Sequence, residues 1–113
     1  MAWLSIRVDL DRADRLGPGK VLLLERIAEH GSIAAAGRSM GMSYRRAWEL
    51  VAATNATFRE PLVEARPGGP RGGGARLTGL GTSLVAHYRA IEREATRAAE
   101  PHLDALDRAA RAP

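Results

Sequence analysis

The 113-residue chain has no cysteine and a single lysine, Lys20. Without thiols there can be no disulfide, no thiolate zinc site and no thiol nucleophile, a composition compatible with a reducing compartment. Aromatic residues make up only 4% against a hydrophobic content of 45%. The core must therefore be built from Leu, Val, Ile and Ala, and Ala-rich segments favour helix. No apolar stretch approaches the roughly 20 residues of a membrane span, and the N-terminus "MAWLSIRVDLDR" lacks the apolar run of a signal peptide. The expectation is one soluble, cytoplasmic domain without membrane association.

Catalytic signatures are also missing. His30, His87 and His102 share no ligand spacing, and no Ser/His/Asp arrangement or paired carboxylate cluster stands out. Asp9, Asp11 and Asp14 read as solvated loop charges. Neither a metal site nor a cofactor is expected, and the chain reads as a non-enzyme.

What is present is charge in one place. The formal net charge is +4. Residues 1–37 and 77–113 are each balanced, with five basic and five acidic side chains. Residues 38–76 carry Arg38, Arg45, Arg46, Arg59, Arg66, Arg71 and Arg76 against Glu49, Glu60 and Glu64. The whole excess thus sits in the central third. A codon preference for arginine is one explanation; an electrostatic footprint for a polyanion is the other.

Periodicity gives the element order. Leu4, Ile6, Val8 and Leu10 alternate with polar residues, which predicts a strand with one buried face. After the breaker "GPGK", Val21, Leu24, Ile27 and Ala28 share a helical face that Gly31 ends. Ser32 can cap a short helix, "IAAAGRSM", broken by Gly41. Ser43 can cap a third helix with an inward stripe of Ala47, Val51, Thr54 and Phe58. Two short strands follow, "LVEARP" after a turn and "ARLT", on either side of a glycine run. A long helix then places Leu80, Leu84, Tyr88, Ile91, Ala95 and Ala98 at spacings of three and four, with Pro101 expected to break or kink it.

The run "PGGPRGGGARLT" at residues 67–78 is not a phosphate loop, because it has no lysine and leads into a strand rather than a helix. A linker would suit the composition. Bracketed by strands after a helix-turn-helix, however, it reads as a wing tip, with Arg66, Arg71 and Arg76 in reach of phosphates or the minor groove.

The third helix offers "SYRRAWE" at its N-terminal turns. Arg45 and Arg46 can donate bidentately to guanine, Glu49 can accept from cytosine, and Tyr44 can touch a phosphate or a thymine methyl. A solvated helix face is the bland alternative for this set. Trp48 borders the inward stripe and is expected to pack there. Ser32 and Ser43 head helices whose N-termini suit phosphate.

The marks "GSIAAA", "GMSYRRAW", Asn55, "PLVEARPGG", "GGGA" and "LTGLG" together resemble the N-terminal DNA-binding domain of the ModE family of molybdate-responsive regulators, related to the LysR-type winged helix-turn-helix. The resemblance covers about residues 4–98. It implies a mainly α fold with a small β-wing, a bacterial homodimeric repressor or activator, double-stranded DNA as partner, and a long C-terminal helix contributing to the dimer. Members of that family carry C-terminal molybdate-binding modules, for which 113 residues leave no room. The expectation is a stand-alone or truncated version without molybdate sensing, with any separate effector or partner protein unidentified.

The expected organisation is therefore a winged helix-turn-helix over residues 1–80, with the helix-turn-helix at about 32–58 and the wing at about 62–78, then a dimerisation helix over 81–113. Leu84, Tyr88, Ile91, Ala95 and Ala98 are its expected dimer contacts. Against a sequence-specific regulator stand a non-specific or architectural DNA-binding protein and a winged-helix protein-interaction module.

Overall fold

The computed structural model describes residues 1–11, 14–69 and 72–111. The order is β1 (Val8–Asp9), β2 (Arg15–Leu16), α1 (Pro18–His30), α2 (Ile33–Ser39), α3 (Tyr44–Thr57), β3 (Val63–Gly69), β4 (Gly72–Leu77) and α4 (Gly79–Ala109). This is the mainly α, winged helix-turn-helix architecture expected.

Local chemistry sets each boundary. Pro18 occupies the first turn of α1, where its missing N–H costs nothing. Gly31 ends the helix in the left-handed region at φ 74°, its N–H donating to the Ile27 carbonyl at 2.8 Å. The Ser32 Oγ accepts from the Ala35 amide at 3.0 Å, and the Ser43 Oγ from the Arg46 amide at 3.1 Å, so both expected caps are made. Between α2 and α3 the packing is close. A Cβ on Gly37 would meet the Ala47 Cβ at 2.9 Å, which keeps that position small.

The core joins three helices to the wing. Leu24, Ile27, Ala36, Ala47, Val51, Leu62, Val63 and Ala75 are its buried centre. Leu23 is buried in α1 where Ala28 was expected; Ala28 is exposed. The wing strands β3 and β4 are antiparallel, pairing Val63 with Leu77, Glu64 with Arg76, Ala65 with Ala75 and Arg66 with Gly74. Pairing resumes at Gly69 and Gly72 after a register shift. The strands therefore run into the glycine run, to Gly69 on one side and from Gly72 on the other. The Ala75 amide donates to the Gly31 carbonyl at 2.8 Å, which ties the wing to the turn that starts α2.

Two expectations about the ends are corrected. Residues 1–10 alternate between half-buried and exposed as a strand would, yet only Val8 and Asp9 pair, with Leu16 and Arg15. Residues 1–7 run beside α4 instead of a strand: the Tyr88 hydroxyl donates to the Ile6 carbonyl at 2.6 Å, and the N-terminal ammonium lies 3.6 Å from Asp107. Pro101 does not interrupt α4, which continues to Ala109. Pro101 is exposed, so the carbonyl its ring deprives of a donor can turn to water.

The stripe expected to meet a second copy divides. Tyr88 is 1% exposed and packs with Leu16 and Val21, while the half-buried Leu84 reaches both core clusters. These two side chains are used inside the protomer and leave little surface for a partner. Ile91, Ala95 and Ala98 lie further out, with Ile91 and Ala98 exposed. Arg89 fastens this stretch of α4 to α1 through bonds to Glu25, one at 3.1 Å, and to Glu92 at 2.6 Å. Those two carboxylates hold its guanidinium well above the usual arginine range, so it stays charged.

Candidate nucleic-acid interface

Helix α3 is aimed by its neighbours. Ala47, Val51 and Thr54 are buried. With successive positions about 100° apart, Arg45, Glu49 and Ala52 fall on the opposite, outward side. Arg46 lies on one flank. Tyr44 and Trp48 lie on the other, the flank that also carries Asn55. Asn55 fixes which way that flank faces: its side-chain oxygen accepts from the Leu62 and Val63 amides at 2.8 and 3.1 Å, and its nitrogen donates to the Val63 carbonyl at 3.0 Å. The wing therefore stands beside Tyr44 and Trp48, and the outward ridge is left open.

Trp48 is a correction. It was expected to pack inward, but it is 51% exposed, close to the 58% of Tyr44. The inward stripe is narrow because Ala47 is small and sits against Gly37, so the indole is displaced to the rim. Ser32, Tyr44, Trp48, Arg66 and Gly74 line a cleft of about 200 Å³ between α3 and the wing. Its floor is tight: a Cβ on Gly74 would meet the Gly31 carbonyl oxygen at 2.9 Å.

The charges of residues 38–76 sort into two groups. Arg45 Nε lies 3.1 Å from Glu49 Oε1, Arg76 Nε 2.7 Å from Glu64 Oε1, and Arg59 Nε 3.8 Å from Glu60 Oε1. Every glutamate of the central third is thus paired with an arginine. Arg38, Arg46 and Arg66 are exposed and have no carboxylate partner among the described residues. Arg71 lies outside the described residues. Three of the four units of local positive excess therefore reside in unpaired arginines on α2, α3 and the wing. Exposed pairs such as Arg45–Glu49 stabilise by only about 0.3–0.5 kcal/mol, so they yield readily to a stronger partner.

Of the residues singled out from the sequence, Ser32, Tyr44 and Arg66 line one cleft and Tyr44, Arg45 and Glu49 the hollow beside it, whereas Arg46 lies on the flank of α3 away from the wing. Arg76 is on the same wing, but cross-strand pairing holds it to Glu64. The caps use the oxygens of Ser32 and Ser43 on their own helices, leaving only the hydroxyl protons for an anion. The engagement of Arg45 with Glu49 was missed; the i, i+4 spacing was the available signal. Among the described residues no cluster of His, Asp or Glu is arranged to hold a metal ion, and no helix is long and apolar enough to cross a membrane.

Residues 20–82 match the family described as bacterial regulatory helix-turn-helix protein, lysR family. The chain is 48% identical over 86 residues to the molybdenum-pterin-binding protein MopA of Rhodobacter capsulatus, covering 76% of this chain and 32% of that protein. It is 39% identical over 94 residues to the molybdenum transport protein ModE of Azotobacter vinelandii, covering 83% and 34%. With the DNA-binding transcriptional dual regulator ModE of Escherichia coli K12 the identity is 39% over 71 residues, 63% of this chain and 27% of that one. The chain spans about a third of the length of the curated relatives it matches.

Proposed function

The chain belongs to the lysR family of bacterial regulatory helix-turn-helix proteins, and from that membership we propose that it is a sequence-specific, DNA-binding transcriptional regulator of the ModE type. The observation that carries the proposal is an outward polar ridge on α3 with the wing alongside it and an exposed arginine without a carboxylate partner on each side, Arg46 on the far flank and Arg66 on the wing. In this reading α3 enters the major groove by its N-terminal turns. Arg45 donates to a guanine, Glu49 turns to a cytosine amino group, and Arg46 and Arg66 hold phosphates on either side. The protein binds rather than catalyses, and it acts where the DNA is, in the cytoplasm.

The second copy needed for two half-sites would join through the outer part of α4, where Ile91 is 42% exposed and Leu106 62% exposed. The molybdenum in the relatives' names belongs to proteins of which this chain matches about a third and forms no part of the proposal.

Selection of bound sequences from random DNA at physiological salt tests the reading. A sequence-specific regulator enriches a two-fold symmetric motif, and its affinity falls with salt at about 0.9 logarithmic units per phosphate contact. Enrichment of no motif with a steep salt dependence would leave only a backbone binder. Weak binding indifferent to salt would remove DNA as the partner altogether.

A further inference from the structure

Trp48 is a costly residue to leave half in water on a polar surface. It stands one turn after Tyr44 on α3, on the wing side of the outward ridge, with 51% of its surface exposed. On its outer side it joins Tyr44, Arg45 and Glu49 around an open hollow of about 360 Å³. The hollow thus has two aromatic walls and, opposite them, the Arg45–Glu49 ion pair. Such a lining suits a small apolar group that belongs to something strongly hydrogen-bonding. In the major groove one group answers to that: the 5-methyl of thymine, the only apolar substituent a base pair presents there.

Trp48 lies three residues beyond Arg45, about 4.5 Å along the helix axis, close to the ~3.4 Å step between base pairs. We infer that Trp48 is a base-reading residue, its indole packing on the methyl of a thymine in the base pair next to the one Arg45 contacts. The inference rests on the proposed reading of sequence by α3, and it adds a specificity that arginine and glutamate cannot supply. Tyr44 shares the hollow but stands at the first turn, nearer the unpaired arginines and the phosphates. The positive excess on this face supports nucleic acid over an apolar protein partner at the same hollow.

The test removes the methyl from the DNA rather than only the ring from the protein. In a site selected by the full chain, each thymine is replaced in turn by deoxyuridine, and affinity is measured for the wild type, Trp48→Ala and Trp48→Phe. At one thymine per half-site, methyl removal should weaken the wild type roughly fourfold, the size expected for one buried methyl. The same replacement should cost Trp48→Ala nothing further and Trp48→Phe an intermediate amount. That thymine should adjoin the position whose preference Arg45→Ala relaxes. If every methyl costs the wild type and both variants alike, or none costs anything, the inference is overturned while sequence reading stands. Failure of the wild type to select any site would instead overturn the reading beneath it. Should Trp48→Ala melt at much lower temperature, the comparison with Trp48→Phe decides alone.

Discussion

Asn55 and Val63 exchange hydrogen bonds in both directions: the Asn55 nitrogen donates to the Val63 carbonyl at 3.0 Å and its oxygen accepts from the Val63 amide at 3.1 Å. A helix side chain here does what a neighbouring strand would do, and it sets the wing against α3. Asn55→Ala leaves two amides and a carbonyl without partners and should destabilise the fold by about 1–3 kcal/mol in urea unfolding. Asn55→Asp keeps the acceptor and loses the donor, so it should cost less. Equal stability of Asn55→Ala and wild type would show that the wing does not depend on this residue.

Glycine in a helix interior ordinarily invites replacement by alanine, with a gain approaching 1 kcal/mol. Gly81 should behave in the opposite way. A Cβ there would stand 2.3 Å from the Leu62 carbonyl oxygen, whereas one on Gly79 would meet nothing within 4 Å. Thermal melts should show Gly81→Ala clearly destabilised and Gly79→Ala unchanged or slightly stabilised. Matching melts would mean that α4 does not pack so closely on the step into the wing.

Tyr88 makes stability depend on alkaline pH. Burial, reinforced by Glu92 and opposed by Arg89, raises its hydroxyl above the ordinary value of 10.0. A folded value above the unfolded one means that the contribution is complete below pH 10 and is lost as pH climbs through the folded value. Tyr88→Phe should be less stable by about 1 kcal/mol at pH 8, since the Ile6 carbonyl loses its donor. The difference from wild type should shrink above pH 10. A gap that stays constant up to pH 11 would contradict the buried hydroxyl.

How much of this was legible in the sequence depended on whether a residue's role was local. Caps at Ser32 and Ser43, the stop at Gly31 and the inward positions Ala47, Val51 and Thr54 follow from spacing alone and are present, while Phe58, the fourth expected member of that stripe, lies just past the end of α3 and packs half-buried against the core. Tertiary partners were not legible. The period of residues 1–10 is that of a strand, but what it lies against is α4, which periodicity cannot identify. Tyr88 shares the spacing of the outer stripe, and only the approach of Leu16 and Val21 shows that it is internal. Trp48 borders the core stripe by angle; the closeness of α2 to α3 decides that it stays outside. Pro101 does not break α4 as one of its two expected effects would have it, because the cost of proline depends on whether the deprived carbonyl can reach water, which is a matter of exposure.

Ile91 provides the test of self-association. Ile91→Glu places a charge on the outer face of α4, away from the core clusters. Sedimentation should then report a monomer where the wild type is a dimer at tens of micromolar, with the thermal melt of the helix-turn-helix retained. A wild type already monomeric at that concentration would remove α4 as a dimer element.

The most direct measurement compares Arg45→Ala with Arg46→Ala on the selected DNA site and on its single-base variants. Arg45 stands on the outward ridge and Arg46 on the flank away from the wing, so they should fail differently. Arg45→Ala should lose about 1–3 kcal/mol on the preferred site and relax the choice at one base pair. Arg46→Ala should weaken every sequence alike and lower the salt slope by about one unit per contact. If Arg45→Ala keeps the wild-type base preference at every position, α3 does not read sequence as placed here.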